Sequence, residues 1–266
     1  MKSVFAAVAM CALVCSCAFA KGVDAVPLFD RSTEADMSKL VGATEEHRAA
    51  YFPDGKLQGA ILSFLVQVRG AQVVFDAGLP DGHVASELQK KELAPADVKT
   101  VLLTHLHRDH YGGLVAPDGT AAFPNAQIYV SSTERAYWVD QVKNAGVISA
   151  LDLYAGRVHE FAPGDEVVPG VTALDTSGHT PGHVSFMVED DGEKLLILGD
   201  LVHFVGIQLP VPEVCVTYDV DPAKAAAARR RTFDFAAENA IPVAGMHIPF
   251  PGMLKLKKSG GGYAAY

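Results

Sequence analysis

Within VLLTHLHRDHYGGL, residues 101–114, three imidazoles and a carboxylate fall in six consecutive positions: His105, His107, Asp109 and His110. Neutral imidazole and carboxylate are the nitrogen and oxygen ligands that divalent transition metals take. His105 and His107 are two residues apart, so an extended chain turns both to the same side. A bend after them brings Asp109 and His110 round. Three more residues of the same chemistry each follow an apolar run: His179 in SGHTPGH, Asp200 closing LLILGD, and His247 closing VAGMH. Strand ends along one edge of a sheet converge in space, and polar sites are built there. The expected chemistry is that of a metal site.

The elements that must position these residues can be read from hydrophobic period and turn residues. ILSFLVQV (61–68) reads as a strand, Arg69-Gly70 as a turn and AQVVFDAG as the return strand. HVASELQKKEL (83–93) has helical spacing. PADVKTVLLTH gives a short helical turn, then a buried strand running into the histidine cluster. AQIYVSS (126–132) reads as a strand and STERAYWVDQV as a helix capped by Ser132 or Thr133. VTALDTSGHTPGHVSFMVED is strand, loop, strand, and Asp191-Gly192 turns it into KLLILGD. Residues 221–239 form the longest helix, with Asp221 as cap and Pro222 at the first position. IPVAGMH is a last short strand, and the tail KKSGGGYAAY is expected to be flexible or lightly packed. Alternating strands and helices with hairpins between them imply an α/β sandwich with a mixed sheet.

Composition bounds the function. The 266 residues are 49% hydrophobic and carry a formal charge of −9. An acidic balance argues against a nucleic-acid partner, which needs a basic surface. The main basic run, Arg229-Arg230-Arg231, is expected on a solvated helix face. MKSVFAAVAMCALVCSCAFA reads as a signal peptide over residues 1–20: Lys2, an apolar run from Val4 to Val14, and the small-x-small pattern Ala18-Phe19-Ala20. Cleavage is expected after Ala20, giving a periplasmic or secreted protein. Lipidation at Cys17 is the variant, poorly matched by the residues before it. Beyond the leader no stretch is apolar and long enough to span a bilayer, and residues 21–266 read as one domain. Cys215 is the one cysteine left after cleavage and is expected to be a buried small hydrophobe.

HLHRDH, GHTPGH, GD and the late strand-end histidine together resemble the metallo-β-lactamase-fold hydrolases, over roughly residues 55–250. The resemblance implies an αββα sandwich of two mixed β-sheets flanked by helices. It assigns His105, His107 and His179 to one metal, Asp109, His110 and His247 to a second, and Asp200 to both. Two divalent cations are implied, with zinc the expected ion and manganese, iron or cobalt compatible with the ligands. Such a pair, ~4 Å apart, holds a hydroxide and lowers its pKa towards ~7. Asp109 would pass a proton to the leaving group. Asp76 in VVFDAG resembles the aspartate that supports a metal-bound histidine. His183 reads as a supporting or structural residue. His47, His83 and His159 read as surface residues.

The fold serves many chemistries, so the ligands do not name a substrate. An aspartate at position 200 departs from the Cys or Ser of secreted metallo-β-lactamases. The short segment after His247 argues against the helical domain of glyoxalase II relatives, and no flavodoxin-like domain follows. FPNAQIYV, GHTPGHVSF, GDLVHFVGIQ, MHIPFPG and GGGY resemble the methyl parathion hydrolase-like branch, with lactonase-like relatives. That branch implies hydrolysis of a small ester, lactone or phosphotriester. Acyl-homoserine-lactone lactonases place a tyrosine three residues after the shared aspartate. His203 stands there in this chain and is expected to contact the leaving group. Trp138, Phe204 and Phe250 are expected to line an aromatic pocket over the metals. The expected partner is a small molecule, and a homodimer fits the relatives. β-Lactam hydrolysis, a mononuclear iron persulfide dioxygenase and a non-catalytic metal sensor are the competing readings.

Overall fold

The structure, a computed structural model, describes residues 22–266. The expected signal peptide and Cys17 lie outside the described residues. Two six-stranded sheets pack face to face with helices on both outer surfaces, the four-layer sandwich expected. The first sheet runs, in spatial order, Asp24–Ala35, Leu57–Val68, Ala71–Phe75, Thr100–Leu102, Gln127–Ser131 and Val158–Phe161. Its first two pairings are antiparallel and the other three parallel. The second runs Met253–Leu254, Val243–Ala244, Glu193–Ile197, Val184–Asp190, Val171–Asp175 and Glu166–Val168. Only Glu193–Ile197 with Val243–Ala244 is parallel there. Both sheets are therefore mixed.

The two-residue period of the strands sorts side chains into layers. From Leu57–Val68, residues Ala60, Leu62, Phe64, Val66 and Val68 face the second sheet and meet Val171, Phe186, Val188 and Ile197. The Phe186 ring lies 5.4 Å from Phe75 and 5.7 Å from Phe161, both at steep angles. Leu65, Val74, Val101 and Leu103 face outward under Val84, Leu88, Leu114 and Val147. On the far side the helix Pro222–Glu238 covers Leu196, Leu198 and Val243 with Ala228, Phe233 and Ala236. Asp221 caps it by accepting from Lys224 N at 3.0 Å, with Pro222 in the first turn.

Five details depart from the sequence reading. The first strand, Asp24–Ala35, carries no clear alternation in sequence, because it is an edge strand with a proline and a register break between Phe29 and Arg31. The helix expected over 83–93 ends at Lys90, and Glu92 takes a left-handed φ of 61°. The helix expected over 132–142 makes one α-turn, Ser132–Arg135, and widens into a π-helix over Ala136–Gln141. The tail is not loose. Leu256–Ser259 and Gly262–Ala265 form a hairpin, and Tyr263, 3% exposed, packs edge-on to Phe233 at 5.3 Å.

The fifth departure is Arg229, which is not solvated. It is 1% exposed and donates to Leu201 O at 2.6 Å, Pro212 O at 2.7 Å and Val214 O at 3.0 Å. Those carbonyls belong to two segments outside the sheets, and Val214 O also accepts from Gln208 Nε2 at 3.1 Å. A buried guanidinium satisfies them where the backbone does not. Arg231 is exposed, as expected, and Arg230 reaches Glu213 at the surface.

The hairpin yields a stability expectation. Tyr263→Ala should cost about 3 kcal/mol, as for other buried aromatic truncations. Urea unfolding would read it as a lower midpoint with the slope unchanged. An unmoved midpoint would mean that the tail contributes nothing to the helix it covers.

Candidate metal centre

The ligand-type residues lie where strands of both sheets end. His105 and His107 follow Thr100–Leu102, and Asp109 and His110 lie in the short helix Arg108–Tyr111. His179 sits in the loop after Val171–Asp175, Asp200 follows Glu193–Ile197, and His247 follows Val243–Ala244. The chain is pinned across the sheets. Val184 N donates to Thr104 O at 3.0 Å, and Leu62 N donates to Met246 O at 2.9 Å. All seven residues expected to hold metal are brought together.

They fall into two groups around Asp200. His105, His107, His179 and Asp200 each offer a donor atom, and these atoms lie within 4.8 Å of one another; Asp109, His110 and His247 do the same. His105 Nε2 and His179 Nε2 stand 3.0 and 2.9 Å from His107 Nδ1. Asp200 Oδ2 faces the first group, 3.2 Å from His179 Nε2 and 3.6 Å from His105 Nε2. The second group meets both oxygens: His110 Nε2 lies 3.1 Å from Oδ1, and His247 Nε2 lies 3.1 Å from Oδ2. A third grouping, Asp200, His203 and His247, shares two of these residues.

Whether this cage fits a cation can be tested on its own atoms. Asp200 Oδ1 and His110 Nε2 are buried and have no hydrogen-bond partner. Burial holds His105 well below the ordinary histidine pKa and His107 down to about 3, with neighbouring imidazoles adding to it. Those rings are neutral and present lone pairs. Burial works against charge on His110 and His179 too. The carboxylates around His110, led by Asp200 and Asp76, outweigh it and hold that ring well above the ordinary range. Asp200 and Asp219 raise His179 to about 9. Burial opposes ionisation of Asp200, yet His110 and His247 hold it well below the carboxylate range. Crowded lone pairs, unpartnered buried atoms and a carboxylate fixed as an anion fit divalent cations.

The rings are oriented from behind. Asp76 Oδ2 lies 2.7 Å from His110 Nδ1, accepts from Thr104 Oγ1 at 2.8 Å, and Thr104 Oγ1 is 3.1 Å from His105 Nδ1. Asp219 Oδ1 lies 2.8 Å from His179 Nδ1, and His247 Nδ1 donates to Ala60 O at 2.8 Å. Each such contact fixes a proton on Nδ1 and turns Nε2 toward the centre. Asp76 holds a left-handed φ of 59° to do this. His183, pushed down to about 3 by burial, accepts from Asp200 N through Nε2 at 3.0 Å. Gly199 makes room for it: φ is 60°, and a Cβ there would stand 2.6 Å from that nitrogen.

Several supporting residues escaped the sequence reading. Asp219 has no motif around it and reaches His179 from forty residues away. Arg229 NH2 lies 3.9 Å from its other oxygen. Glu134 is buried and accepts from Leu106 N, Thr180 Oγ1, Gly182 N and Trp138 Nε1 at 2.7–3.0 Å. It clamps the loops carrying His105–His110 and His179 together. A Cβ on Gly182 would stand 2.1 Å from Glu134 N, which is the reason for that glycine. An acidic residue in a helix has no sequence signal for such a task.

The centre opens into a cleft of about 480 Å³ whose lining includes Ile61, Phe204, His203 and Tyr218. His203 stacks on His247 with ring centres 4.7 Å apart and an angle of 13°. Of the three expected pocket aromatics, Phe204 lines the cleft. Trp138 lies edge-on to His107, held by Glu134, and Phe250 is 60% exposed against Phe29. His83 and His159 are exposed, His47 is partly exposed in a capping box with Thr44, and Cys215 is buried.

A sequence profile of the metallo-beta-lactamase superfamily matches residues 58–242. An N-acyl homoserine lactonase of Bacillus cereus is 25% identical over 174 residues, 55% of this chain and 65% of the relative. The probable metallo-hydrolase YqgX of Bacillus subtilis is 31% identical over 141 residues, 51% and 63% of the two chains. The chain thus spans a little under two thirds of the length of these relatives. Among solved structures, the hydrolase AbOPH of the beta lactamase superfamily has a TM-score of 0.82 at 30% identity, covering 91% of this chain and 93% of its own. AidC, a dizinc quorum-quenching lactonase in complex with a product, has a TM-score of 0.83 at 21% identity over 92% and 94%. That likeness shows the fold.

The two supporting aspartates directly touch ligands of different groups: Asp219 meets His179, Asp76 meets His110, and Asp76 reaches His105 only through Thr104. Asp219→Ala should weaken metal binding at the His105/His107/His179 group, and Asp76→Ala at the Asp109/His110/His247 group, each by about 10- to 100-fold. Chelator competition on the purified variants measures it. Identical titration curves for both variants and the parent would refute the division of labour.

Proposed function

The chain belongs to the metallo-beta-lactamase superfamily, and from that membership we propose that it is a dinuclear zinc hydrolase of small esters and lactones, with phosphotriesters as further substrates. The observation that carries the reading is Asp200, whose carboxylate stands between the two groups and reaches ligands of both. His105, His107 and His179 would hold one ion, and Asp109, His110 and His247 the other, with Asp200 shared. Bound there, the two cations would supply an activated water near neutral pH and positive charge for the oxyanion that develops during attack.

The chain's own residues do the rest. Ile61 and Phe204 on the cleft walls receive the apolar part of the substrate and keep bulk water off it. Asp109, with its side chain 27% exposed to the cleft, stands 3.5 Å from His247 Nε2. Burial opposes its ionisation, but His110 and His247 hold its pKa low, so it is a carboxylate that can take a proton and deliver it to the leaving group. Burial pushes His203 down to about 4 despite the nearby Asp200. Its Nε2 stands 3.1 Å from Asp200 and its ring lines the cleft, which places it to contact the leaving group. The leader read in residues 1–20 supports export, and we propose a periplasmic or secreted enzyme on that ground. The lactonase relatives and AbOPH support the hydrolase class.

The test is turnover by zinc-loaded protein of an acyl-homoserine lactone, an aryl ester, a phosphotriester and the lactam nitrocefin, with metal analysis alongside. Near two zinc ions per chain, loss of lactone or ester turnover on chelation and its return with zinc are expected. One iron per chain with no turnover would overturn the proposal, and nitrocefin as the best substrate would replace it. His203→Ala should lower kcat by about 100-fold for substrates with poor leaving groups. The loss should shrink for p-nitrophenyl esters, whose leaving group needs little help.

A further inference from the structure

One wall of the cleft is sewn from two distant segments. A 3-10 turn, Met37–Lys39, is capped by Asp36, which accepts from Ser38 N at 2.8 Å. Leu40–Val41 then pairs antiparallel with Cys215–Val216, and Thr217 N donates to Lys39 O at 2.9 Å. The chain turns at once: Asp219 N donates to Val216 O at 3.0 Å, and Asp219 Oδ2 accepts from Val216 N at 3.0 Å. At this turn Asp219 goes inward to His179, while Tyr218 is 45% exposed and lines the cleft.

Lys39 closes the wall. Its Nζ stands 5.6 Å from the centre of the Tyr218 ring, a cation–π distance. That ring lies 6.0 Å from the ring of His203, whose Nε2 is 3.1 Å from Asp200. Two aromatic rings, tilted 42° to each other, therefore lead from the reacting centre to an exposed ammonium group. Among the described residues no carboxylate lies within ion-pair distance of Lys39 or of Arg108, the second cation lining the cleft. Glu34, the acidic residue of the rim, is already engaged by Lys56 at 3.2 Å and Gln58 at 3.1 Å. On a chain of formal charge −9, two cations without an ion-pair partner among the described residues stand out in the lining of this cleft.

We infer that the His203–Tyr218–Lys39 wall is a subsite for a planar group carrying a carboxylate, and that the preferred substrate is an ester of a phenol bearing an acid on its ring. This rests on the hydrolase reading above. The flat group lies along the exposed Tyr218 ring with its inner edge toward His203, the scissile bond meets the centre, and the carboxylate meets Lys39. Hydrolysis adds water across the ester bond and yields two products, the acid and the carboxylated phenol. No other reactant is needed.

The experiment compares phenyl acetate with 4-carboxyphenyl acetate on zinc-loaded full-length protein, reading the ratio of their kcat/KM values. Lys39→Glu should lower the ratio (carboxylated over plain) at least tenfold, through KM of the carboxylated ester. Lys39→Arg should retain most of it, and added salt should erode it in the parent. A ratio unchanged by Lys39→Glu overturns the subsite. If the parent turns over neither ester, the hydrolase reading is what fails, and calorimetric binding of 4-hydroxybenzoate against phenol then decides the subsite. Lys39→Glu must weaken 4-hydroxybenzoate about tenfold more than phenol; equal weakening overturns the inference. Circular dichroism of each variant keeps misfolding apart from these outcomes.

Discussion

The structure depends on one buried carboxylate. Asp200 has five imidazole nitrogens within 3.6 Å, from His105, His110, His179, His203 and His247. A carboxylate removed from water costs several kcal/mol unless positive charge or hydrogen bonds compensate it. Here few conventional donors do so: His183 binds its backbone, and Oδ1 has no hydrogen bond. Compensation falls to the surrounding rings and to the cations their lone pairs can hold. That requirement explains the neighbouring sequence, from the left-handed glycine before Asp200 to the histidine seventeen residues earlier that takes up its N–H.

Neither sheet holds the site alone. The first contributes Asp76 and the His105–His110 segment; the second contributes His179, Asp200 and His247. Glu134 ties the two loop systems, and Val184 N to Thr104 O ties the strands behind them. Metal binding is therefore linked to the packing of the sheets, and a cation that binds only the assembled cage stabilises the fold by mass action. The strained Asp76 backbone fits the same picture. A residue in a sparsely populated region persists where its surroundings over-determine it.

What was legible in the sequence is what chemistry compresses into short spacing. His105, His107, Asp109 and His110 announce themselves within six residues, and His179, Asp200 and His247 each end an apolar run. The long helix was readable from its cap and proline, and the central strands from their period. Asp219 and Glu134 were not, because a single acidic residue looks the same whether it is solvated or supports a ligand. Arg229 was misplaced for a related reason. A basic run on an alanine-rich helix gives no hint that one guanidinium satisfies three stray carbonyls. The first strand was hidden by its role as a broken edge, and the tail by its glycines, which serve a hairpin turn as well as they would a loose end.

The turn at residues 216–219 joins two tasks in four residues. Asp219 sets the orientation of His179, and Tyr218, its neighbour, shapes a wall of the cleft. Insertions and deletions are the usual way in which loops around an active site diversify. At this loop a change of length would drag the ligand's support along with the wall. Divergence at this cleft should accordingly proceed by exchanging side chains at fixed length here, leaving the longer, unconstrained segments of the surface to absorb the gaps.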